Sequence, residues 1–339
     1  MVDHLALSPA ELLNLVEAAE PNPLLRKVDA LCELRAWDEL VALATQCREA
    51  TERGKQLWPI AEHVDYRLAL EAPAAYAAPV LHPTAGRFAA GPLTEVAAST
   101  HTFDDLLPHL TLPSTAGVVA AERVLRGEDL RGRPEAHPEI MDLPMRLEPW
   151  EPPYTLATYT PSSVEAPPPE LPRLAREGRG RPGVVVDDDE LVAALLGVVE
   201  AWISGSNARA EVAIADGVDA AIGSLGAWGT RGADSYWIGE LTPGQAMGLL
   251  AWAGAAGGAH GRRRGAAAGR SAAWWAAAAL TDLEWPPDPD ELGEALGELR
   301  WYRWEPRQLA GGWHLHLAVE SPADGWAAVI ASEDRADRP

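Results

Sequence analysis

Two cysteines in 339 residues, Cys32 and Cys47, are too few for a disulfide scaffold or a zinc site made of thiolates alone, and they read as buried thiols. Long apolar runs are missing too. The richest, AAWWAAAAL (272–280), falls far short of the roughly 20 residues that a membrane span requires. The opening residues MVDHLALSPAELLNL hold no cationic stretch followed by an apolar core, so the sequence predicts a cytoplasmic protein. Positive charge is scarce: 28 Lys and Arg face 50 Asp and Glu, a net charge of −22 whose field repels nucleic acid and anionic membranes. Catalytic signatures are absent as well. There is no G-x-S-x-G, no H-E-x-x-H, no G-x-G-x-x-G after a strand, and neither cysteine has the flanks of a protease nucleophile. No cofactor is expected.

What is present is alanine, leucine and tryptophan, in a pattern that changes twice along the chain. Residues 1–126 carry helical periodicity. PLLRKVDALCEL puts Leu24, Val28, Leu31 and Cys32 on one stripe, and AWDELVALATQCREA does the same with Trp37, Leu40, Val41 and Ala44. Short helices joined by brief turns predict an all-helical domain of stacked antiparallel pairs, a degenerate HEAT-like or TPR-like array without a strict period. Residues 127–183 hold twelve prolines, a density that forbids regular helix and most sheet pairing, so they read as a Pro-rich linker and extended segment. Within it REGRGRPG (176–183) reads as a flexible tether.

Residues 184–339 mix periods and predict an α+β domain with about five strands. The acidic run DDDE (187–190) reads as a helix start, on the positive end of the macrodipole. RAEVAIAD, a short helix and DSYWIGEL form a strand–helix–strand unit, which implies a right-handed crossover if the strands are parallel. In GWHLHLAVE, Trp313, Leu315, Leu317 and Val319 share one face and His314 and His316 the other, the latter expected to meet solvent.

The densest oddity is AHGRRRGAAAGRSAAWWAAAALTDL, residues 259–283. It fails as a phosphate loop, because three rather than four residues separate Gly265 from Gly269, arginine replaces lysine, and no strand precedes it. It reads as a helix. Gly261, Gly265, Gly269, Ala272, Ala276 and Leu280 form a small-residue stripe open to a neighbouring helix, while Trp274 and Trp275 supply bulk to the core. Arg262, Arg263 and Arg264, with Arg270 a turn later, either pair with carboxylates or hold a small anionic ligand. Elsewhere His63, Arg67 and His101 form a possible polar cluster if the helices converge. His314 and His316 would need a third ligand to bind a metal, so no metal site is assigned.

GAHGRRRGAAAGRSAAWWAAAAL and ELRWYRWEP, with the alanine, arginine and tryptophan usage around them, resemble uncharacterised conserved hypothetical proteins of high-GC actinobacteria. The resemblance implies a bacterial cytoplasmic setting and transfers no functional residue. Two classes of function remain open. One is an interaction or adaptor protein, with a helical groove and an α+β domain that binds a protein partner or self-associates. The other is an enzyme of unrecognised family with an anionic-ligand site at the domain junction.

Overall fold

The computed structural model describes residues 9–82, 89, 91–226, 235–307 and 312–335. Contacts divide the chain into one unit of residues 1–140 with 158–165 and a second of 141–157 with 166–339, so the proline-rich segment is shared between them. The first unit is helical: α1 (Pro9–Ala18), α2 (Pro21–Leu34), α3 (Trp37–Glu52), α4 (Trp58–Glu71), α5 (Ala74–Ala77), α6 (Leu93–Thr100), α7 (Phe103–Leu106) and α8 (Pro113–Val124), with a small hairpin of β1 (Thr158–Tyr159) and β2 (Val164–Glu165). Proline sits in the first turn of α2, α4 and α8, where its missing N–H would have had no helical partner. The stripe Leu24, Val28, Leu31 and Cys32 is buried as its spacing predicts, against Leu40, Leu43, Cys47, Val64 and Leu68. Val41 is not part of that core and lies exposed. Cys32 and Cys47 are free and buried, and burial pushes both thiols up to about 11.

The second unit is α+β. Its elements are β3 (Arg176–Arg179), α9 (Asp189–Val198), α10 (Glu200–Gly205), β4 (Arg209–Ala215), α11 (Val218–Ser224), β5 (Ser235–Leu241), α12 (Pro243–Ala255), α13 (Ala266–Leu280), α14 (Pro289–Glu298), β6 (Arg300–Pro306), β7 (Trp313–Ser321) and β8 (Trp326–Asp334). Asp188 caps α9 by accepting from the Leu191 N–H at 2.9 Å, so the acidic run is a helix start. Six strands form one sheet in the order β3-β5-β6-β7-β8-β4, every neighbouring pair antiparallel. β4 and β5 run parallel, since four antiparallel steps separate them in that order, so the strand–helix–strand unit spans the sheet rather than joining neighbours. One expectation is corrected here. The supposed tether supplies β3, the sixth strand: an edge strand needs only one partner, tolerates charge, and here brings Gly178 onto the ring of Tyr236, where a Cβ would overlap.

One face of the sheet carries Trp301, Leu315, Leu317, Val319, Ala328 and Ile330 against α9, α12, α13 and α14. The opposite face carries Tyr236, Ile238, Tyr302, Trp304 and Val329 under Val218, Ala221 and Ile222 of α11. No helix among the described residues is long and apolar enough to cross a membrane.

The small-residue stripe explains how α12 and α13 pack. Gly254 faces Gly269 and Ala272, and a Cβ at Gly269 would overlap the Ala251 carbonyl and approach the Ala255 Cβ to 2.8 Å. Gly269→Ala is therefore expected to destabilise by about 2–3 kcal/mol despite its better helix propensity. Gly197→Ala in α9, where nothing lies within 4 Å, is expected to stabilise by about 0.5–1 kcal/mol. Urea melts of both variants check the pair, and equal effects would refute the close crossing. Trp274 is buried in the core, but Trp275, one residue and about 100° further round the helix, is 44% exposed and packs edge-on to Trp285.

Candidate functional site

The arginines separate on folding. Arg262, Arg263 and Arg264 lie in the turn before α13, Arg262 and Arg264 exposed, and Arg262 and Arg263 each carry an interaction of their own. Gly265, at φ 101°, starts the helix after them. Arg270 is fully buried, with its fork occupied. Nε and Nη2 donate to the two Glu151 carboxylate oxygens at 2.7 and 2.6 Å, Nη1 to the Pro144 carbonyl at 2.9 Å, and Nη2 also to the Arg146 carbonyl at 2.9 Å. Four of its five N–H donors are engaged inside the protein and its side chain is fully buried, so Arg270 takes the carboxylate pairing rather than the anion. Its acid is drawn from the proline-rich segment, invisible to helical spacing. Glu151 also accepts from Tyr154 Oη at 2.6 Å and Trp274 Nε1 at 3.0 Å.

The polar cluster of the helical unit does not assemble either. Arg67 is buried and spent on Glu71 and Asp29, while His101 Nε2 meets the Ala72 carbonyl at 3.0 Å and Nδ1 the Ala97 carbonyl at 3.1 Å. His63 stacks on Tyr66, and burial followed by the Arg67 charge lowers its pKa. No described contact joins His101 to His63 or Arg67.

The site that does take shape is a breach in the sheet. β6 pairs with β5 from Trp301 to Pro306, and β7 pairs with β8 from Trp313 to Ser321. Between β6 and β7, however, pairing runs only from Arg300↔Glu320 to Arg303↔Leu317. Beyond that point Trp304, Glu305 and Pro306 are not paired with Trp313–His316, and a cavity of about 490 Å³ is lined by both segments. Residues that alternate to opposite faces line it together, which an intact sheet forbids: Arg303, Glu305 and Trp313 belong to one face, Trp304, His314 and His316 to the other. Leu249 and Trp252 of α12 and the segment Ala166–Leu171 complete the wall, the latter tied by Trp252 Nε1 donating to the Ala166 carbonyl at 3.1 Å. Trp252 and Trp313 stack at 5.2 Å with rings 7° apart, braced edge-on by the buried Trp202.

Polar atoms are buried here without a hydrogen-bond partner among the described residues, Trp304 Nε1 and His314 Nδ1 among them. His316, expected at the surface, is instead 3% exposed, because Trp304 stacks on it at 4.7 Å and His314 at 5.6 Å. Burial, then the charges of His314, Arg303 and Arg209, push its imidazole down to about 3. Glu333 lies 4.0 Å from His316 Nε2 and does not offset this, because Arg209 at 3.4 Å and Arg335 at 3.0 Å share its carboxylate. Among the described residues no group of three His, Cys, Asp or Glu is placed to hold a metal, and His314 and His316 gain no third ligand.

A family model described as a family of unknown function, DUF6183, matches residues 22–336. The chain belongs to that family. No curated protein matches it, and no solved structure does. In the DUF6183 chain the match takes in all the lining residues of the breach. Spacing pointed to His314 and His316 alone. Trp252, Trp304, Arg303 and Glu305 were missed, although two signals were present: an Arg and a Glu two apart on one strand face, and two histidines inside an otherwise apolar strand.

Proposed function

We propose that the C-terminal unit is a small-molecule binding module whose ligand is planar and aromatic and lies in the breach between β6 and β7. One observation carries the reading: side chains from both faces of the sheet line a single cavity there, and two of them, Trp304 and His314, bury polar nitrogens that nothing in the described chain satisfies. Buried nitrogens left unpaired cost about 1–3 kcal/mol each, a cost that a ligand with matching donors and acceptors recovers on binding. The cavity volume falls within the range of small-molecule sites, and the stacked indoles offer the flat apolar surface such ligands use. This reading departs from both classes left open by the sequence, for it assigns neither an adaptor role nor a reaction.

The test is a thermal-shift and tryptophan-fluorescence titration of the whole chain with planar compounds, among them adenine, nicotinamide, riboflavin, indole and p-cresol. At least one is expected to raise the melting temperature and quench emission. His314→Phe is expected to raise the stability of the unliganded protein by about 1 kcal/mol, by removing an unsatisfied nitrogen, and to abolish the shift. No response from the wild-type protein across the panel, or an unchanged shift in the variant, defeats the reading.

A further inference from the structure

Resting on that binding reading, we infer that the ligand is a zwitterion of the aromatic α-amino acid class, its ring against the stacked pair of Trp252 and Trp313 and its charged head on Arg303 and Glu305. These two are the charged residues of the cavity wall besides its histidines, one of each sign, two apart on the same face of β6. Both side chains keep 23% of their surface accessible. They pair with each other through Arg303 Nη2 and Glu305 Oε1, and each retains capacity. Arg303 makes one further bond, a long one of 3.4 Å from Nη1 to the Pro172 carbonyl, and a guanidinium has five donors. Glu305 Oε2 accepts no hydrogen bond among the described residues.

The mutual pair selects against single charges. A lone carboxylate brought to the Arg303 donors sits beside the Glu305 carboxylate, and a lone ammonium brought to Glu305 sits beside the guanidinium, so each gains one attraction and one repulsion of similar size. A molecule carrying both groups on one carbon closes a four-charge ring in which every neighbour has the opposite sign, with the carboxylate on charge-assisted guanidinium bonds. At the ring end a phenolic hydroxyl, donor and acceptor at once, matches the partnerless Trp304 N–H and His314 Nδ1, which are shielded from solvent until a ring turns towards the cavity.

Calorimetric titration of the full chain with L-tyrosine, tyramine, 3-(4-hydroxyphenyl)propionate and p-cresol decides the matter. L-Tyrosine is expected to bind at least fivefold tighter than either singly charged analogue. Glu305→Gln is expected to weaken L-tyrosine and tyramine while leaving or improving the propionate, and Arg303→Gln to weaken L-tyrosine and the propionate while leaving or improving tyramine. A discrimination below fivefold in the wild-type protein, or no binding by L-tyrosine, overturns the zwitterion assignment without need of either variant. If p-cresol or a heteroaromatic of the earlier panel still binds in a His314-dependent way, the pocket reading survives that failure; if nothing binds, both fall.

Discussion

Replacing Arg270 with methionine is expected to lower the unfolding free energy by about 3–5 kcal/mol, because it strands a buried carboxylate. Arg270 and Glu151 are both fully buried, and burial alone would push the Glu151 carboxyl up. The Arg270 hydrogen bonds and charge, with donors from the Glu148 backbone and Tyr154, hold it below its ordinary value instead. A depressed carboxylate contributes stability that is present above its unfolded pKa of 4.5 and lost as pH falls through the folded value. In Arg270→Met that logic reverses: the unpaired Glu151 is easier to bury protonated, so the deficit should be largest near pH 7 and shrink towards pH 4. With about 2–4 °C per kcal/mol for a unit of this size, the melting temperature should drop by roughly 10 °C at neutral pH. The double variant Arg270→Met, Glu151→Met should recover more than half of the loss, since a buried pair replaced by apolar groups is often near neutral. Chemical melts at the two pH values measure all of this. A single-variant loss under 1 kcal/mol would show that the network tolerates an open charge and would refute the account.

That network marks where the sequence stopped being legible. Helical stripes such as Leu24, Val28, Leu31 and Cys32 could be read because their spacing is local, and Gly269 because a four-residue repeat of small side chains has one plain use. The α+β character of the C-terminal part was readable for the same reason, from the switch to a period of two. Arg270 could not be separated from Arg262–Arg264, because its partner stands 119 residues away in a segment whose prolines hide any period. REGR lacked the apolar alternation of a strand, since an edge strand takes its bonds from one side and its burial from almost nowhere. The breach was the least visible feature. Strand spacing shows which face a residue takes when the sheet is continuous, and the site exists because pairing between β6 and β7 stops at Arg303↔Leu317.

His316 is expected to make the protein lose stability as pH falls from about 6.5 to about 3, a loss that begins well above the carboxylate range. Its folded value lies below its unfolded one, so above pH 6.5 both states hold a neutral ring and nothing is lost. Below that, the unfolded chain takes up a proton that the folded chain refuses, at a cost approaching 1.36 kcal/mol per pH unit and ending once the folded ring also protonates. The total is on the order of 3–5 kcal/mol at pH 3. Arg303, Arg209 and His314 all disfavour a cation at this ring, and the Glu333 carboxylate that might have welcomed one is engaged by Arg209 and Arg335. His316→Phe preserves the stack on Trp304 and removes the titration, so its stability should stay nearly level between pH 6.5 and 4.5 where the wild type slopes. A gentler slope of the same sign persists in the variant from His63, which burial also depresses. Parallel pH profiles for the two proteins would mean that water or a rearranged Glu333 reaches the ring, and the dry, neutral wall assigned to this side of the cavity would be wrong.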